Sequence, residues 1–143
     1  MKPRVSLLLI NPKREILLIH RIKEERDYWV FPGGGVEQGE SLLTAAQREA
    51  LEETSFVLQQ FSPVFSLLNM GRREHFFVAN VDNIPARLGN GPELEKQNIR
   101  NRYELVWLPF EQLSTLELYP MDARDIAVTL LVDVETDSVQ IHG

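Results

Sequence analysis

Three glutamates, Glu49, Glu52 and Glu53, fall within Ser41 to Thr54, a stretch of good helix formers with neither Gly nor Pro. At about 100° per residue, positions i, i+3 and i+4 share one face spanning roughly 100°, so the three carboxylates sit together in space. Like charges at that spacing repel, and the C-terminal half of a helix disfavours anions further, each effect being about a few tenths of a kcal/mol. Arg48 relieves part of the repulsion by reaching Glu52 four residues on. A hard divalent cation relieves it better, since Mg²⁺ takes oxygen ligands, keeps several waters and joins carboxylates to substrate phosphates. A charge run on its own is more often a solvated helix face, so the surrounding residues must decide.

Those residues begin with Tyr28 to Phe31 and Pro32, which biases its predecessor to extended geometry, followed by Gly33, Gly34 and Gly35 as an irregular loop. Ser41 is the expected N-cap. The glycines do not form a nucleotide P-loop: Gly34 and Gly39 have the spacing, but Glu40 stands where the lysine must be. Upstream, Val5 to Ile10 and Glu15 to Ile22 flank the turn-forming Asn-Pro-Lys-Arg and read as a hairpin, with Lys23 to Asp27 a charged connector. Downstream, Phe56 to Met70 and Glu74 to Val81 read as antiparallel strands joined by a turn over Asn69 to Arg73. Asp82 to Arg102 reads as a long, polar, functional loop containing Arg87, Lys96, Arg100 and Arg102, suited to selecting among substrates. Glu104 to Leu108 is a final strand. Asp122 to Val134 is a second helix on the spacing of Ile126, Ala127, Leu130, Leu131 and Val134.

The 143 residues imply one domain, 1–143, with helices packed on a mixed sheet. Fifteen Lys and Arg against 21 Asp and Glu leave a net charge of −6, which argues against binding polymeric nucleic acid. Without cysteine there is no disulfide framework, thiolate nucleophile or Cys-ligated zinc. The four-residue apolar run Leu7 to Ile10 is too short for a signal peptide or membrane span, so a cytoplasmic protein with no membrane partner is expected. No 12-residue EF-hand loop supports a structural Ca²⁺ protein.

Taken together, the residues resemble the Nudix box. Gly34 is followed after five residues by Glu40, and after seven more by Arg48-Glu49-Ala50-Leu51-Glu52-Glu53-Thr54-Ser55-Phe56, so every charged position matches. Ser55 stands where the family usually has Gly, which bears on the helix cap rather than the chemistry. The upstream Trp-Val-Phe-Pro-Gly-Gly-Gly is similar to the family too, as is the Trp-containing segment Glu104 to Leu113. The resemblance implies an α+β fold, a Nudix-type α/β/α sandwich around a mixed central β-sheet. It further implies Mg²⁺-dependent hydrolysis, with Mn²⁺ as an alternative ion, of a small nucleoside diphosphate linked to another group X.

By that resemblance, Glu49, Glu52, Glu53 and the Gly33 carbonyl are metal ligands, Glu40 is an accessory carboxylate, and Arg48 orients the glutamates. The cation polarises phosphoryl oxygens and activates a water, for which a general base is required. Glu49 and Glu52 are candidates inside the box and Glu104, Glu93 and Glu95 outside it; Glu104 is preferred because a strand holds it more rigidly than a loop would. His20, His75 and His142 lack metal-ligand spacing; Arg21, Arg72 and Arg73 could contact phosphate and Tyr28, Trp29 or Phe65 could stack on a base, but arginines beside strands are more often surface residues and aromatics in strands core, so they are left out of the site. No Pro or Tyr marks Gly71 to Glu74, and Ser-Gln-Pro-Trp-Pro is absent, so a nucleoside triphosphate pyrophosphohydrolase remains by elimination. A catalytically silent nucleotide-binding module is the alternative, and it would be expected to lack one of the three glutamates. A homodimer is left open.

Overall fold

The computed structural model describes residues 1–82 and 101–133. Strands β1 (Arg4–Asn11) and β2 (Glu15–Lys23) form the expected hairpin, but they stay paired only at Ile10 with Ile16 and Asn11 with Glu15. Beyond that point the two strands take different partners. β1 pairs in parallel with β6 (Arg72–Asn80) on one edge, and β6 in turn pairs antiparallel with β5 (Ser62–Asn69). β2 pairs antiparallel with β3 (Arg26–Val30) and with β7 (Asn101–Pro109). β3 carries the short β8 (Leu118–Tyr119).

The wedge that parts the hairpin is β4 (Gly33–Gly35), which pairs with Arg4, Val5 and Ser6 of β1. A side chain at Gly33 is sterically excluded: its φ is +153°, and a Cβ would lie 2.1 Å from the Val5 carbonyl oxygen. Where β1 and β2 diverge, the sheet opens into a cleft of about 600 Å³.

Both faces of the sheet are covered, as the near-continuous apolar runs of β1 and β2 require. Helix α1 (Leu42–Thr54) lays Ala45, Ala46 and Ala50 on Leu7, Leu9, Leu17, Phe77 and Ala79. On the opposite face, Leu8, Ile16, Leu18, Phe31 and Phe76 pack against a 3₁₀ turn (Phe110–Thr115) and helix α2 (Met121–Val128). Fully burying each large apolar side chain is worth about 1.5–3 kcal/mol, and the two layers hold the cleft walls in place. This is the α/β/α sandwich with a mixed sheet that the sequence implies.

Several boundaries differ from expectation. Phe56 to Phe61 is not strand: the chain leaves α1 through a left-handed residue, and Phe56 turns inward beside Trp107, with ring centroids 6.4 Å apart. Arg26 and Asp27 extend β3 because β2 supplies a pairing edge. The glycine loop is largely β4, and β7 begins at Asn101 rather than Glu104. The second helix is α-helical only to Val128, and Thr129–Asp133 form a π-helical turn. The loop expectation, including Arg87, Glu93, Glu95 and Lys96, lies outside the described residues apart from its ends. Among the described residues no helix is long and apolar enough to cross a membrane.

Candidate active site

The glutamates are positioned by the two ends of α1. At its start, Ser41 Oγ accepts the Thr44 N–H at 3.0 Å, satisfying one of the orphan donors of the first turn. At its end, Ser55 adopts φ 68° and ψ 9°, and its N–H donates to the Leu51 carbonyl at 3.0 Å. The left-handed conformation that glycine favours is therefore carried here by serine.

Arg48 is the hub of the site. Its Nε donates to Glu40 Oε2 at 2.7 Å and its Nη2 to Glu40 Oε1 at 2.9 Å, a bidentate pair. Nη2 also donates to the Gly35 carbonyl at 2.9 Å, and Nη1 to Glu49 Oε2 at 2.8 Å and Glu52 Oε1 at 3.1 Å. The Arg48 hydrogen bonds, aided by the Glu37 N–H, hold the Glu40 carboxyl down to about 2. The same Glu40 contact, reinforced by Glu49 and Glu52 and opposed by burial, raises the Arg48 guanidinium further above its ordinary value.

Glu49 has a different environment. It is only 9% exposed, and burial pushes its carboxyl above the ordinary value even though Arg48 pulls the other way. Its carboxylate lies where a Gly34 Cβ would be, at 2.2 Å from Oε2, so Gly34 is glycine because the Glu49 side chain occupies that space. Glu49, Glu52, Glu53, Gly33 and Gly34 all face the cleft.

Among the described residues, no three histidine, aspartate or glutamate side chains form a ready-made metal cage. The donor set nonetheless fits a hard cation: the groups are carboxylate and backbone oxygens at the mouth of a polar cleft. Mg²⁺ commonly needs only one or two protein carboxylates, the rest of its shell being water and substrate phosphate.

Glu104 does not join this group. Its position in β7 is opposite His20, its carboxylate is 3.8 Å from His20 Nδ1, and 61% of its side chain is exposed. Strand alternation turns Tyr103 and Arg21, one place along, into the cleft and Glu104 to the other face. His20 stacks on Trp29 at 4.3 Å and bonds Asp27 at 2.5 Å, and Phe65 stacks on Phe76 at 4.4 Å, so neither faces the cleft.

On one wall of the cleft sequence reasoning missed Arg4, Ser6, Asn69 and Glu74, and it weighed but left out Arg72 there and Arg21 elsewhere in the lining. The signal available for Glu74 was its phase: it shares the inward parity of Phe76 in β6, where a lone carboxylate needs partners.

A family model described as the NUDIX domain matches residues 1–130. An RNA pyrophosphohydrolase of Pelagibacter ubique (strain HTCC1062) is 41% identical over 51 residues, 36% of this chain and 32% of that protein. One of Caulobacter vibrioides (strain NA1000 / CB15N) is 43% identical over 54 residues, 37% of this chain and 31% of that protein. The chain thus matches about a third of the length of these curated relatives. Among solved structures, a MutT from a study of the Aliivibrio salmonicida and Vibrio cholerae proteins superposes with TM-score 0.71 at 21% identity, covering 92% of this chain and 97% of the other. A C. elegans Ap4A hydrolase binary complex gives TM-score 0.65 at 18% identity, covering 96% and 98%. These likenesses concern the fold. With Arg48, Glu49, Glu52 and Glu53 of α1 at the cleft, Glu40 bound to Arg48 from the preceding turn, and the family model spanning nearly the whole sequence, the chain belongs to the Nudix hydrolase family.

Proposed function

We propose that this chain is a pyrophosphohydrolase that cleaves the diphosphate linkage of a small nucleoside diphosphate linked to X, using Mg²⁺ or Mn²⁺. The observation that carries this reading is that Arg48, Glu49, Glu52 and Glu53 all line the cleft, with Arg48 bonded to Glu40, Glu49 and Glu52. An acidic surface does not otherwise attract a diphosphate. The relatives named RNA pyrophosphohydrolase support the bond type, though over about a third of their length.

In this reading Glu49, Glu52 and Glu53, with the Gly33 carbonyl, hold the cation. When bound, the cation neutralises the diphosphate and favours attack by water at phosphorus. Arg48 fixes the rotamers of Glu49 and Glu52. Glu49, buried at the cleft and held in place by Arg48, is the proton acceptor for the attacking water. Its Oε2 is tied to Arg48, which leaves Oε1 for that contact.

The test is a substrate panel with Mg²⁺, reading released phosphate or pyrophosphate across nucleoside triphosphates, ADP-ribose, dinucleoside polyphosphates, nucleotide sugars and 5′-triphosphorylated RNA. Turnover of one class that is lost in EDTA is the expected outcome. Binding without turnover across the panel would replace this reading with that of a silent Nudix module.

A further inference from the structure

Glu74 is a buried carboxylate that the box chemistry does not use. It lies on β6, 3% exposed, in the wall of the cleft that the α1 glutamates also line. A buried charge is costly unless it is paired and hydrogen-bonded. Two neighbouring strands supply those partners. The parallel register sets Arg4 of β1 beside Glu74, and the β5 to β6 hairpin brings Asn69 to the same face. Ser6 Oγ donates to Glu74 Oε2 at 2.9 Å, Asn69 Nδ2 donates to Oε1 at 2.8 Å, and Arg4 Nε lies 3.8 Å from Oε2 while donating to Ser6 Oγ at 3.3 Å.

Both Glu74 oxygens are thus occupied, so Glu74 does not itself read a ligand. Its partners face the cleft. Among the described residues, the two terminal nitrogens of Arg4 and the guanidinium of Arg72 have no acceptor. Arg4 is a quarter exposed and close enough to Glu49 to lower its pKa, so this wall is continuous with the glutamate cluster. Two arginines against one glutamate leave the wall cationic on a chain whose net charge is −6.

Resting on the hydrolase reading above, we propose that Arg4 and Arg72 form a subsite for a further phosphoryl group of the substrate, beyond the diphosphate held at the box. Group X is then a phosphoryl group rather than a neutral sugar. Glu74 is a positioning residue: with Ser6 it fixes the Arg4 stem so that the terminal nitrogens point into the cleft. A planar guanidinium held this way forms charge-assisted hydrogen bonds to phosphate oxygens that a neutral hydroxyl-rich group matches poorly.

The test compares wild type, Arg4→Gln and Glu74→Gln. The first readout is the kcat/KM ratio for a nucleoside triphosphate over a nucleoside diphosphate sugar of the same base. The loss of one charge-assisted contact predicts that Arg4→Gln lowers this ratio about tenfold or more. Glu74→Gln should act in the same direction through KM, with kcat changed by less than about twofold. The second readout is calorimetric binding of inorganic triphosphate in EDTA, which requires neither metal nor turnover and should weaken with Arg4→Gln. Arg4, being partly exposed, keeps the test available if Glu74→Gln fails to fold. An unchanged ratio with unchanged triphosphate affinity overturns the subsite, as does a wild type that does not bind triphosphate. A wild type that binds triphosphate through Arg4 but hydrolyses nothing in the panel overturns the hydrolase reading and leaves the subsite standing.

Discussion

Arg48 and Glu40, eight residues apart, meet through two parallel hydrogen bonds of 2.7 and 2.9 Å that tie the turn before α1 to the middle of the helix. Their geometry is a fork on a fork, and its consequence is the carboxyl held at about 2. Because the folded value lies below the ordinary 4.5, Glu40 stabilises the fold when ionised, with the full effect above about pH 4.5. That contribution is lost as pH falls from about 4.5 towards 2. In metal-free buffer, the urea midpoint of wild type should exceed that of Glu40→Gln above pH 5, and the gap should close between pH 4.5 and 2. A gap constant with pH would mean that the pair contributes packing rather than charge.

Neutralising a glutamate proposed to hold the cation separates metal affinity from folding. Glu52→Gln and Glu53→Gln should each nearly abolish turnover at limiting Mg²⁺ and regain part of it as Mg²⁺ is raised. Neither removes core volume, and Glu52 is 46% exposed. Melting temperature without metal should hold or rise slightly as the i, i+3 and i+4 repulsion falls. Wild-type activity in either variant at limiting metal would remove that residue from the ligand set.

Serine at the end of α1 carries a conformational cost that glycine does not. A left-handed L-residue costs roughly 1–2 kcal/mol, and the extra freedom of glycine in the unfolded chain returns about 0.5–1 of this. Ser55→Gly should therefore stabilise the protein by about 0.5–1 kcal/mol, raising the melting temperature by about 2–4 °C. A fall would show that the Ser55 side chain contributes more than its backbone costs.

The sequence carried the box clearly because its information is local. The spacing of Arg48, Glu49, Glu52 and Glu53 follows the helical period, and Ser41 caps within three residues of its acceptor. The missed features depend on partners far along the chain. Arg26 and Asp27 are poor strand formers in isolation and become strand because β2 offers an unpaired edge. Phe56 to Phe61 is apolar enough for a strand but is diverted by the left-handed Ser55. Glu74 acquires its meaning from Ser6, 68 residues away, which no periodicity reports. Glu104 shows the same limit: its strand is legible in the sequence, but the face that its side chain takes is fixed by pairing with β2.

That last point favours one of two candidate bases. Glu49 faces the cleft, is largely buried and has a raised pKa, whereas Glu104 points to the opposite face, where its carboxylate lies near His20. A general base typically contributes about 10² to 10⁴ in rate, so Glu49→Gln should lower kcat by at least that range, the upper end being exceeded if cation binding is also impaired. Glu104→Gln should lower kcat by less than about threefold, far below what removing a base does. The pH profile gives a second discrimination. The acidic limb of kcat/KM should persist in Glu104→Gln, because the titrating carboxyl remains, and should flatten in the residual activity of Glu49→Gln. Measuring both profiles at saturating Mg²⁺ keeps metal affinity out of the comparison. If Glu104→Gln instead loses a hundredfold with its acidic limb gone, the base acts from the β7 side and Glu49 serves the cation alone.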